Sequence, residues 1–140
     1  MSQAETFRQL VVARAGGSCE YCRLLEAASG VTFHIEHIVP RSQGGQTEMG
    51  NLALSCPGCN LGKADRTFGH DLHRQVQNLF NPRDYEPWIL GWHLHFALDR
   101  DSGLIRPRSS VGEATMLTLK MNSTHRVFAR KLQIRSGLIA

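Results

Sequence analysis

Apolar and polar positions alternate with two different periods along the chain. In residues 2–15, Phe7, Leu10 and Val11 recur at helical spacing. Ser2 and Glu5 form a capping-box pair, and Gly16-Gly17 supplies a stop, so the stretch predicts a helix. Residues 31–39 alternate and are rich in β-branched side chains, which predicts a strand closed by Pro40. Residues 41–50 form a polar loop around Gly44-Gly45, whose simplest role is a turn with positive φ. Leu52 to Ser55 predicts a second short strand, and a helix is expected from Asn60 to about Phe68. The order is strand, loop, strand, helix.

Further on, Trp92 to Leu98 and Leu104 to Arg108 predict two strands joined by the turn Arg100-Asp101-Ser102-Gly103. Residues 111–121 and 124–136 predict helices, the second capped by Ser123 or Thr124. Phe80, Trp92, Phe96, Leu117 and Met121 are the expected core of this part. The fold class is α+β. A boundary near residues 69–82 would divide a unit of residues 1–68 from a hairpin-and-helices extension of residues 69–140, packed on it.

Composition narrows the class. The chain has 140 residues, 41% of them hydrophobic and 20% charged, as soluble globular domains do. No apolar run approaches the ~20 residues that span a bilayer. Met1 to Leu10 lacks a basic run followed by an apolar core, so a cytoplasmic protein is expected. The formal net charge of +4 is unevenly placed. Residues 1–68 carry six basic and six acidic side chains, whereas residues 69–140 carry ten and six. A basic surface suits a polyanion such as nucleic acid, and equally a solvated face.

The four cysteines form two C-x-x-C pairs, Cys19/Cys22 and Cys56/Cys59. Such a turn aims two sulfurs at one centre, and two turns complete a tetrahedral zinc shell. A redox motif needs only one pair. With four protein ligands the Zn2+ site is closed, so its expected role is structural; it would staple a small domain.

Between the pairs lie His34-Ile35-Glu36-His37-Ile38-Val39-Pro40, Gly44-Gly45 and Asn51-Leu52, and Asn60 and Lys63 follow Cys59. From Cys19 to about Arg66 this combination resembles the HNH endonuclease family. The resemblance implies a ββα-metal core, with His37 as the general base and Glu36 and Asn60 as ligands of one catalytic divalent cation. It implies that Asn51 braces the loop through backbone hydrogen bonds. Glu36 departs from the family's usual Asp by one methylene. Leu79-Phe80-Asn81-Pro82-Arg83, Trp92 to Phe96, Gly112 to Thr115 and Leu119 to Asn122 resemble an extension found in a set of short bacterial HNH proteins.

The chemistry can be argued from the residues as well. Phosphodiester hydrolysis needs an activated water, which a near-neutral imidazole serves, and charge stabilisation on phosphate, which a hard cation on oxygen ligands serves. Glu36 and Asn60 offer oxygens and leave room for water, which favours Mg2+ or Mn2+. In a regular strand His34 shares a face with Glu36, so His34 is either a third ligand or a surface histidine, and the alternation has to break near His37. Arg41, Lys63, Arg126 and Arg130 are candidate phosphate contacts. His93 and His95, on the expected strand, read as structural. The expected function is a metal-dependent DNA endonuclease without membrane or small-molecule cofactor. The alternatives are a zinc-knuckle nucleic-acid binder with a silent site, and a nuclease acting on RNA.

Overall fold

A computed structural model describes residues 2–140. A 3-10 turn, Ala4–Phe7, leads into helix α1, Arg8–Ala15, which Gly16 ends at φ +65°. Strand β1, His34–His37, pairs antiparallel with β2, Leu52–Ser55, with Glu36 opposite Ala53 and His37 opposite Leu52. Helix α2, Pro57–Lys63, follows at once. The order β1, loop, β2, α2 is the ββα core expected from the sequence.

Several boundaries differ from expectation: the helix expected over residues 2–15 is a 3-10 turn followed by α1 from Arg8, and α2 ends at Lys63 and not at about Phe68. β1 is four residues long and not nine, because only His34–His37 faces a partner strand. α2 begins at Pro57, three residues before the expected Asn60. Cys56 caps it, its Sγ accepting from the Cys59 N–H, and Pro57 at the first helical position needs no N–H partner.

The second half opens with a hairpin the sequence did not announce: β3, Phe68–His70, against β4, Val76–Asn78. Its turn is built by Asp71, whose Oδ1 accepts from the His73 and Gln75 N–H groups at 2.8 and 2.9 Å. Helix α3 then spans Trp88–His95, where a strand was expected from Trp92. Buried Trp88, Gly91, Trp92 and Phe96 sit at helical spacing, and that period prevails over the apparent alternation of residues 92–96. The expected hairpin survives in short form, β5 Phe96–Leu98 against β6 Ile105–Pro107. Helices α4, Ser110–Leu119, and α5, Thr124–Arg135, complete the chain.

One cluster of buried side chains contains Phe33, Leu52 and Leu54 together with Phe80, Trp92, Phe96, Leu119 and Met121. Leu117, expected in the core, lies on the outer side of α4 and is exposed. α2 and α4 approach closely at Gly62, where a Cβ would stand 2.9 Å from the Leu119 backbone. The Trp92 indole N–H donates to the Tyr21 carbonyl at 2.8 Å, tying α3 to the first cysteine turn. Among the described residues, no helix is long and apolar enough to cross a membrane.

Candidate active site and zinc centre

The four cysteine sulfurs lie within 4.8 Å of one another, and all four residues are buried. Tetrahedral zinc with Zn–S bonds of about 2.3 Å separates its sulfurs by roughly 3.8 Å, so the cluster fits the ion. The Cys22 and Cys56 sulfurs are 3.5 Å apart. In each turn the later cysteine's N–H donates to the earlier Sγ at 3.4 Å. Burial pushes the Cys19 and Cys59 thiols up, while hydrogen bonds within the cluster pull Cys22 and Cys56 down. Four buried sulfurs this close together suit a cation among them. No other group of three or more His, Cys, Asp or Glu side chains among the described residues is so arranged.

Arginines of α5 stabilise this centre. Arg126 donates to Cys59 Sγ at 3.1 Å and to the carbonyls of Leu119 and Lys120. Burial opposes its charge, yet the surrounding cysteines raise its proton affinity overall. Arg130, with no exposed surface, donates to the carbonyls of Gly103, Cys22 and Met121. Both had been expected as phosphate contacts. The structure turns Arg130 wholly inward and engages the half-buried Arg126 with sulfur and carbonyls.

On the other side of α2, an open cleft of about 360 Å³ is lined by His34, Glu36, His37, Arg41 and Asn60. β1 supplies the first three, and Asn60 comes from α2. His37 is the last residue of β1, paired opposite Leu52, and lines the cleft together with Glu36 although the two are adjacent in the strand. His37 Nε2 lies 2.7 Å from Thr47 Oγ1. Burial lowers the His37 pKa, and the cations of Arg41 and Lys63 lower it further. The imidazole is therefore held neutral and able to accept a proton.

Asn51 makes the loop between the strands a fixed object. Its Oδ1 accepts from the Val39 N–H at 2.9 Å, and its Nδ2 donates to the carbonyls of Val39 and Gln46 at 3.0 and 2.9 Å. Gly44 does adopt φ +90°, but Gly45 is needed for a different reason: a Cβ there would collide with the Val39 carbonyl.

Glu36 is buried beneath the cleft wall. The Tyr21 hydroxyl donates to its Oε1, and Lys63 Nζ stands 3.6 Å from its Oε2. Burial pushes its carboxyl up to about 7, against the pull of Lys63 and of the Tyr21 hydroxyl. Lys63 itself is 2% exposed and donates to the Ile38 carbonyl at 2.8 Å. Its ammonium is thus directed inward, away from the surface where a phosphate contact was expected.

Residues 19–66, about a third of the chain, match the model of a family described as HNH endonuclease. This segment is similar to HNH domains. Searches of curated proteins and of solved structures find no match. The matched HNH segment runs from the first zinc cysteine to just past α2 and contains every residue that lines the cleft. It points to a nuclease of the HNH type.

The cleft's lining offers the carboxylates of Glu36 and Asp65, the Asn60 amide oxygen and the exposed imidazole of His34, donors that suit a hard or borderline divalent cation. Asn60 lines the cleft from α2, and its amide oxygen is of the ligand type such a cation takes. Sequence reasoning missed Tyr21, Thr47 and Arg83. Arg83 donates to Glu20 at 2.7 Å and to the Leu52 carbonyl at 3.2 Å. Nothing in the polar loop marked Thr47.

Proposed function

We propose that the HNH domain hydrolyses phosphodiester bonds in DNA, with His37 as general base and with Glu36, Asn60 and His34 holding one Mg2+ or Mn2+. The observation that supports this reading is the shared cleft, lined by the His37 imidazole, whose pKa burial lowers, together with Glu36, Asn60 and His34. A divalent cation bound there supplies the positive charge that stabilises the phosphate and the leaving oxygen.

The chain's own residues do the rest. A Thr47 oxygen accepting from Nε2–H fixes the tautomer, which leaves Nδ1 to take the proton from a water. Arg41, exposed at the cleft edge, binds a phosphate oxygen and orients the strand. The braced loop keeps His37 and Thr47 in register. DNA as the substrate is supported by the HNH match and by the basic balance of the chain.

The test is cleavage of supercoiled plasmid, single-stranded DNA and RNA by zinc-loaded protein with Mg2+ or Mn2+. His37→Ala is expected to abolish plasmid nicking with zinc content and melting temperature retained. Nicking at the unsubstituted rate refutes the assigned base. Cleavage confined to RNA refutes the substrate, and mobility shift without cleavage in any metal refutes the activity.

A further inference from the structure

The first cysteine turn holds two residues between its ligands, Glu20 and Tyr21, and neither has any exposed surface. Tyr21 is fixed on several sides. The Glu20 N–H beside it donates to the Leu54 carbonyl at 2.9 Å, and its own carbonyl accepts from Trp92. Its ring meets Phe80 edge-on, with centroids 6.3 Å apart. The position of the Tyr21 hydroxyl is therefore set by the zinc turn and its packing, and that hydroxyl ends on Oε1 of Glu36.

Glu36 has one more rotatable bond than Asp, and a buried ammonium lies 3.6 Å from its other oxygen. Apart from the Tyr21 hydroxyl, Lys63 is the one side chain that holds this carboxylate among the described residues. We infer that Tyr21 is a positioning residue for the cleft cation: its hydroxyl keeps Glu36 from closing onto Lys63, and so couples cation affinity in the cleft to the integrity of the zinc turn. The inference rests on the role proposed above for Glu36. Partners of a ligating carboxylate typically change metal affinity by about 10–100-fold.

The experiment measures Mn2+ binding to zinc-loaded full-length protein by electron paramagnetic resonance, comparing unsubstituted protein, Glu36→Gln and Tyr21→Phe. Tyr21→Phe is expected to keep its zinc and its melting temperature while its Mn2+ Kd rises about tenfold or more. The Mn2+ concentration for half-maximal plasmid nicking should rise in parallel, with the rate at saturating Mn2+ much less affected. Binding lost in Glu36→Gln but unchanged in Tyr21→Phe overturns this inference alone. Binding unchanged in Glu36→Gln overturns the assignment of Glu36, and the inference with it. Should Tyr21→Phe lose its zinc, the Tyr21 hydroxyl proton of the unsubstituted protein is followed by NMR. A protected resonance that shifts on adding Mg2+ supports the inference, and one unmoved at saturating Mg2+ overturns it.

Discussion

Nη1 of Arg126, near the start of α5, donates to Sγ of Cys59 at 3.1 Å across a sequence separation of 67. The contact places a cation against the cysteine cluster, whose four thiolates around a Zn2+ would carry a net negative charge. Arg126→Met keeps much of the packing and removes the charge and its hydrogen bonds. The expected result is a loss of about 2 kcal/mol in stability and faster zinc release to a chromophoric chelator. Denaturant titration and chelator kinetics check both.

Cys56 both belongs to the four-sulfur cluster and caps α2. Cys56→Ala is expected to lose zinc and the cooperative unfolding transition together, since a small chain depends on such a staple. Metal analysis and a thermal melt by circular dichroism are the measurements. A folded, zinc-free and active variant would contradict a structural role for the metal.

The Asn51 amide holds the loop by three backbone hydrogen bonds. Asn51→Ala leaves partly buried backbone groups without partners, which costs about 2–4 kcal/mol. Gly45→Ala forces a collision with the Val39 carbonyl and should destabilise the same loop independently. Hydrogen exchange of amides in residues 38–51 should accelerate in both variants.

His95 is the clearest pH-sensitive group away from the metal sites. Its Nδ1 lies 2.6 Å from Ser109 Oγ, its ring packs against Phe80, and burial lowers its pKa. A histidine with a depressed folded pKa favours the native state above its unfolded value, near 6.5. That contribution is lost as pH falls through the unfolded pKa towards the folded one, where the unfolded chain binds the proton first. The melting temperature should therefore drop on acidification below about pH 6.5, and His95→Gln should flatten part of the drop.

The ββα core could be read from the sequence because its signals are local. Cysteine spacing, the Asn51 position and the alternation of β1 each report on chemistry confined to a few neighbouring residues. α3 was misread because Trp92, Leu94 and Phe96 alternate, while the deciding burial of Trp88 and Gly91 lies just upstream. The fates of Lys63, Arg126 and Arg130 could not be read at all. A cation's sequence position does not say whether it meets phosphate or a carbonyl 25 to 108 residues away.

The two residues enclosed by Cys19 and Cys22 both serve distant partners, Glu20 reaching Arg83 and Tyr21 reaching Glu36. Interchangeability is lost as a result. A grafted C-x-x-C turn from an unrelated zinc protein would preserve every bond to the ion yet orphan one guanidinium and one carboxylate, so homology-blind swaps of this four-residue module should yield metal-loaded but miswired chimeras.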